Sequence, residues 1–328
     1  MHTGEELIRW FDGKHILVTG ASGYLASYLV GMLRSTDCSI TLLTRSRREP
    51  KEKEGSAHMD RQAGDLQQRE TWQQALRGVD IVFHFAAQTS VKVANADPVL
   101  DFQCNVLPLQ MLLESCRDSD RHPTVLLAGT VTQAGIPERL PLDEAHPDSP
   151  ITIYDLHKQM AEQYLAYYSR HGIVSGATLR LSNVYGPGPK SSASDRGILN
   201  MMIKRALRGE PLTIYGSGEY LRDYIYIEDV ILAFLTAARH IKKLRGEHFL
   251  IGSGKGHTLS EVFLLVAERV SRRTGSRVPV VHVEPEMPLT PIEKRNLFVN
   301  PGKFSKATGW HPRYSLAEGI DHTLETLL

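Results

Sequence analysis

Tyr154 and Lys158 stand one helical turn apart in the stretch Tyr154-Asp155-Leu156-His157-Lys158, so on a helix both side chains leave the same face. Of the twelve tyrosines in the chain, this is the only one with a lysine four residues on. A free phenol, with a pKa of about 10, is a poor base at neutral pH. A nearby ammonium favours the phenolate and draws that value down. Upstream, Thr130 follows the apolar run Val125–Ala128 and Gly129. If that run is a strand of a parallel sheet, Thr130 sits at its carboxyl end, where ligands collect, and its hydroxyl can hold a substrate oxygen while a proton moves. Phenol, ammonium and hydroxyl together suit alcohol–ketone redox chemistry without a metal. The plainer alternative is an exposed helix face with a cation near a phenol.

A second pattern names the carrier. Thr19-Gly20-x-x-Gly23-x-x-Ala26 lies between the apolar run His15–Thr19 and the helically spaced Leu25, Leu29, Val30 and Leu33. Glycine there permits positive φ and lets backbone N–H groups approach a phosphate, and the following helix presents its positive end to a pyrophosphate. An ordinary turn is the alternative. The usual acidic partner of the ribose 2′-hydroxyl is missing at the end of the second apolar run, which reads Leu43-Thr44-Arg45-Ser46-Arg47-Arg48. Arginines there suit a 2′-phosphate, so NADP is favoured over NAD, against the alternative of a solvated basic loop.

These groups need elements to hold them. Strand-like runs fall at 15–19, 39–43, 79–85 and 124–128, with helical patterns at 67–77 and 102–117 and a polar loop at 46–56. This alternation predicts an α/β protein, a Rossmann-type doubly wound parallel sheet covered on both faces. From about residue 180 the pattern changes. A Gly/Pro cluster at 183–189 and a polar loop at 189–197 precede short helices (197–208, 228–242, 258–273) and brief strands (249–251, 279–283), read as a smaller α/β lobe. With 328 residues, 38 Lys+Arg and 37 Asp+Glu, the net charge of +1 offers no broad surface for nucleic acid. No apolar run reaches the ~18–20 residues of a membrane helix, and the N-terminus lacks a secretory pattern. Three cysteines without CxxC spacing favour neither disulfides nor zinc. A soluble cytoplasmic protein is expected.

From about His15 to Leu327 the chain resembles the extended short-chain dehydrogenase/reductase family, of the NAD-dependent epimerase/dehydratase type that acts on nucleotide sugars. The resemblance rests on motifs in order: 19–26 (TGASGYLA), Gly64-Asp65-Leu66, 80–87 (DIVFHFAA), Asn105 opening a helix, Thr130, Tyr154-x-x-x-Lys158, 180–187 (RLSNVYGP), 222–226 (RDYIY) and a tail at 303–312. It implies that Gly20, Ser22, Gly23, Tyr24 and Leu25 surround the pyrophosphate, with Thr44 and Arg45 beside the ribose. Asp65 and Leu66 would flank the adenine, Phe85, Ala86 and Ala87 would line the dinucleotide, and Asn105 would lie near the nicotinamide. Lys158 would hold the nicotinamide ribose beside Tyr154. On the substrate side the resemblance points to Gln88, Thr132, Asn183, Thr213, Tyr215, Arg222 and Arg295. Asn183 and Arg222 match residues that grip a diphosphate, and 212–216 matches the segment along the nucleoside base. Two departures stand out. Dehydratases of the family carry Asp-Glu after the catalytic Thr, where this chain has Val131 and Thr132, so dehydration is not expected. Thr290 stands where many relatives have an arginine, with Arg295 as a substitute.

The resemblance implies epimerisation at C4 of a nucleotide-diphosphate sugar through a transient 4-keto intermediate. The same triad would serve an NAD(P)H-dependent reductase of 4-keto sugars, and a catalytically silent dinucleotide sensor is a third reading. The nucleotide-binding domain is expected over 1–180 plus about 223–252, with the substrate lobe over 181–222 and 253–328. By analogy the helices at 101–117 and 154–171 would pair in a four-helix bundle across a homodimer. Met111, Leu112, Met160 and Leu165 would face the partner or, alternatively, the chain's own core.

Overall fold

The computed structural model describes residues 4–45, 55–118, 121–188 and 197–328. Arg47, Arg48, most of the loop at 46–56 and most of the loop at 189–197 lie outside the described residues. Six strands in chain order are β1 (His15–Thr19), β2 (Ser39–Thr44), β3 (His58–Ala63), β4 (Ile81–His84), β5 (Thr124–Thr130) and β6 (Ser175–Leu181). With the edge strand His248–Ile251 they form one seven-stranded sheet, ordered His248–Ile251, β6, β5, β4, β1, β2, β3, with every pair parallel. The chain has the predicted Rossmann-type fold.

Side chains alternate across the sheet, and this splits the core in two. Ile16 and Val18 of β1 and Phe83 of β4 pack on one face beneath the helices Tyr24–Leu33 and Ile227–Arg239. Leu17, Val82, Val125 and Leu127 pack on the other, with Trp72, Leu112 and Leu165 from the helices Arg69–Ala75, Leu107–Arg117 and Ile153–Arg170. The near-continuous apolar runs of β1, β4 and β5 follow from burial on both faces. Strand β3 has no such run; its sequence, His-Met-Asp-Arg-Gln-Ala, lies at the sheet's edge and is largely solvated, and the apolar pattern did not reveal it.

Two further expectations are corrected, and one left open is decided. The segment 102–117 is two helices, Pro98–Asn105 and Leu107–Arg117, so Asn105 closes a helix instead of opening one. The break falls at Val106, and Pro108, which lacks an N–H, sits at the start of the next helix. The segment 228–242 likewise divides into Ile227–Arg239 and Ile241–Leu244. Leu112 and Leu165 are buried in the chain's own core and do not face outward. Met111 is packed against that core and Met160 is half-buried.

In the second half, Leu212–Tyr215 pairs in parallel with Val280–Val283, covered by the helices Ile198–Leu207 and Leu259–Thr274. Main-chain hydrogen bonds stitch this part to the segment after β5: Leu142 donates to Phe298 at 2.8 Å, and Asn300 donates to Leu142 at 2.7 Å. Among the described residues, no helix is long and apolar enough to cross a membrane.

Candidate active site

The glycine turn after β1 is shaped by its neighbours. Gly20 has φ +64°, and a Cβ added there would lie 2.8 Å from the Ala86 nitrogen. The turn therefore presses directly on the segment following β4. A Cβ on Gly23 would come within 2.9 Å of the Gly20 carbonyl oxygen. The helix Tyr24–Leu33 starts at Gly23 with no side-chain cap and no acidic residue in its first turn. Its first N–H groups and positive dipole end are thus left for an anion at the carboxyl edge of the sheet. These features fit a dinucleotide pyrophosphate. Ser22 is exposed and Leu25 half-buried. The Tyr24 ring supports the turn at 186–188, since a Cβ on Gly188 would lie 2.6 Å from it, and burial raises the Tyr24 pKa.

Thr19 anchors the same edge. Its Oγ1 accepts from the Phe85 and Ala86 N–H groups, each at 3.1 Å, and lies 3.1 Å from Nδ1 of His84. Phe85 also packs edge-on against Phe234, with ring centroids 4.8 Å apart, and Ala87 is half-buried. On the far side, Thr44 ends β2 with Arg45 exposed beyond it. Asp65 is exposed and accepts from the Gln67 N–H at 3.0 Å, while the Leu66 carbonyl takes the Trp72 indole N–H at 2.8 Å.

Thr130 is the last residue of β5 and is buried, as are Tyr154 and Lys158. Thr152 caps the helix Ile153–Arg170, its Oγ1 accepting from the Asp155 N–H at 3.0 Å, so Tyr154 falls in the first turn. The turn after β5 is tied to that helix: Thr130 Oγ1 lies 2.8 Å from Thr132 Oγ1, which in turn donates to the carboxylate of Asp155. One turn further along, the Lys158 charge reaches His84. Burial, with that charge second, pushes the His84 pKa down to about 3. The three predicted catalytic residues thus lie on the two elements that meet at the carboxyl edge of β5, with Lys158 electrostatically coupled to the end of β4.

A buried carboxylate organises the neighbouring residues. Asp101, fully enclosed, accepts from His157 Nδ1 at 2.7 Å, Gln88 Nε2 at 2.6 Å and Asn105 Nδ2 at 2.9 Å. A second Asn105 Nδ2 bond goes to the Gln88 carbonyl at 3.0 Å, which leaves Asn105 Oδ1 buried with no protein partner. Behind β5, Arg180 binds Asp148 through two bonds of 2.6 Å and Glu162 through bonds of 2.5 and 2.9 Å. Burial alone would depress the guanidinium, but these hydrogen bonds outweigh it and hold the Arg180 pKa above its usual value.

On the substrate side, Asn183 is exposed, and its Nδ2 donates to the Asp223 carbonyl at 2.9 Å. Thr213 is half-buried and Tyr215 is 58% exposed. Arg222 is not a free cation. Its guanidinium donates to the main-chain carbonyls of Glu293 at 2.8 Å and Ile292 at 3.4 Å and also to that of Arg295, clamping the turn that carries Arg295. Desolvation lowers its pKa. Arg295 is buried and donates to the Gly135 carbonyl at 3.1 Å, five residues beyond Thr130. Sequence reasoning passed over His84, Asp101, Asp155 and His157. Asp101 and Asn105 are four apart on one helix, a spacing that marks a shared face, but no pattern signals which buried partner they meet.

A family model described as the NAD dependent epimerase/dehydratase family matches residues 16–252. The UDP-glucose 4-epimerase of Mycolicibacterium smegmatis is 28% identical over 315 residues, covering 94% of this chain and 97% of its own. The crystal structure of UDP-glucose 4-epimerase with UDP-glucose from Thermotoga maritima aligns with a TM-score of 0.83 at 28% identity, covering 95% of this chain and 98% of its own. The Thermus thermophilus UDP-glucose 4-epimerase complex with NAD aligns with a TM-score of 0.77 at 30% identity, again covering 95% and 98%.

Proposed function

The chain belongs to the NAD dependent epimerase/dehydratase family, and from that premise we propose that it is a nucleotide-sugar 4-epimerase that works through a transient 4-keto intermediate. One observation carries the reading most: the Thr132–Asp155 bond holds the Thr130 turn against the helix of Tyr154 and Lys158, while the Lys158 charge reaches His84, the hydrogen-bond partner of Thr19 beside the glycine turn. Tyr154, with the Lys158 ammonium favouring its phenolate, takes the proton of the sugar 4-hydroxyl, and Thr130 holds the same oxygen. The bound nicotinamide supplies hydride acceptance and return. Gly20, Gly23 and the first turn of Tyr24–Leu33 hold its pyrophosphate, with Asp65 and Leu66 toward the adenine and Asn105 toward the nicotinamide.

NAD is the form we assign, because the Thermus thermophilus relative is a complex with NAD. Exposed Arg45 supports NADP as the second reading. The substrate we propose is a UDP-sugar, with Arg295 and the clamped 291–295 turn at the diphosphate and Thr213 and Tyr215 along the base. The substrate lobe is 181–222 and 253–328. A two-fold dimer would use the exposed Val99, Leu100, Leu156 and Tyr167 on the helices Pro98–Asn105 and Ile153–Arg170.

The test is to incubate the purified protein with UDP-galactose and no added cofactor. Conversion to UDP-glucose is expected. A strict requirement for added NADPH, consumed in proportion to a 4-keto sugar, would replace the epimerase with the reductase.

A further inference from the structure

We propose that Asp155 is a positioning residue that, through Thr132, sets the direction in which the Thr130 hydroxyl donates. The argument rests on counting hydrogens. A hydroxyl has one to give, and an ionised carboxylate can only accept. Thr132 gives its hydrogen to Asp155, so at the 2.8 Å contact between the two threonines the donor is Thr130. The Thr132 N–H also points at Thr130 Oγ1, at 3.3 Å. Thr130 therefore rests with its hydrogen turned back into the protein, and holding a sugar oxygen means turning that hydrogen outward. Asp155 is 2% exposed and lies in the first turn of its helix, where the dipole favours its negative charge.

This inference rests on the epimerase reading, and there it has a consequence. A keto oxygen has no hydrogen and binds Thr130 only if that hydroxyl turns away from Thr132. Turning leaves the lone pairs of Thr130 and Thr132 facing each other, so Asp155 weakens the hold on the ketone without touching it. A sugar that must rotate before it is reduced on its other face gains from a loose hold. The effect is that of one neutral hydrogen bond, roughly two- to tenfold in an equilibrium.

The experiment uses UDP-galactose as probe and reads kcat, KM and the near-ultraviolet absorbance of enzyme-bound reduced nicotinamide during turnover. Thr132→Val removes the acceptor for the Thr130 hydrogen, and Asp155→Ala lets Thr132 donate to Thr130 instead. Both are expected to lower kcat and to raise the reduced fraction, the two changes multiplying to roughly two- to tenfold. Asp155→Ala, which removes no substrate contact, should lower KM in step with kcat and leave kcat/KM unchanged. Thr132→Ser should restore wild-type values, and in a Thr130→Ala background Thr132→Val should change nothing further. A merely structural role would lower kcat and the reduced fraction together. That result, or no change in either quantity, overturns the inference. If the wild type neither interconverts the sugars nor reduces its nicotinamide, the epimerase reading itself fails, and this inference falls with it.

Discussion

Thr19 donates its hydroxyl hydrogen to Nδ1 of His84 across 3.1 Å, because both of its acceptor positions are taken by the Phe85 and Ala86 N–H groups. This fixes His84 as the tautomer with its proton on Nε2, an atom buried without a protein partner. The glycine turn and the neighbourhood of Lys158 are thereby joined through one neutral imidazole.

The neutrality of His84 sets a pH dependence. Its pKa falls from the ordinary 6.5 to about 3 in the folded chain. The unfolded chain therefore takes up a proton below about pH 6.5 that the folded chain refuses. The stabilisation is complete above that pH and is lost as the pH falls toward 3, by at most about 4–5 kcal/mol. Urea unfolding of wild type and His84→Asn between pH 7 and pH 4.5 checks this. The variant, which keeps an acceptor for Thr19, should show a flatter decline with acid; parallel curves would contradict the assignment.

Gly20 is required by geometry. Alanine at φ +64° costs about 1–2 kcal/mol in the backbone alone, and its Cβ would lie 2.8 Å from a main-chain nitrogen. Gly20→Ala should lose at least about 2 kcal/mol of stability and bind NAD far more weakly by calorimetry. Gly31, exposed in the following helix with nothing within 4 Å of its Cβ position, is the control. Gly31→Ala should gain up to about 1 kcal/mol and leave NAD affinity unchanged.

How much was legible in advance follows from these same contacts. β1, β4 and β5 announce themselves because burial on both faces demands apolar runs, and the glycine turn does so because only glycine fits there. β3 left no trace because its own residues are largely solvated, whereas the strand at the other edge, His248–Ile251, is apolar and buried. Asn105 closes a helix where the pattern suggests an opening, because a short helix that stops before a proline-led one reads as a single periodic segment. Arg222 illustrates a further limit. Its residue type suits a phosphate, but its contacts with three carbonyls of a turn some 70 residues away carry no sequence signal. Asp155 and His157, flanked by Tyr154 and Lys158, carry no spacing signal, since their partners come from the turn after β5 and from the helix Pro98–Asn105.

The Arg222 clamp predicts a binding phenotype. Its planar fork reaches the carbonyls of Ile292, Glu293 and Arg295, which close the short helix Pro291–Lys294. Arg222→Ala leaves these acceptors without a charged donor, at a cost of about 2–3 kcal/mol. It should raise KM for UDP-galactose about tenfold with a smaller effect on kcat, and expose 291–296 to limited proteolysis. Arg222→Lys should not rescue, because an ammonium is a point charge without the planar fork. A kcat defect at unchanged KM would show that the clamp does not serve binding.

Tyr154→Phe separates the enzyme readings from the sensor reading. The phenol is buried in the first turn of a helix whose start is fixed by Thr152, so removing one oxygen leaves the ring's packing intact. NAD affinity should stay within about threefold of wild type, because the loss amounts to less than one neutral hydrogen bond. Turnover should fall by about two to four orders of magnitude, the range expected when a positioned proton acceptor is removed. A variant that retains turnover would assign proton removal to another group. Thr130→Ala extends the argument: the substrate oxygen loses its hydroxyl partner while the base remains, so the loss should be smaller than for Tyr154→Phe. The double variant should then fall short of the product of the two losses, because the residues act on one oxygen as a unit.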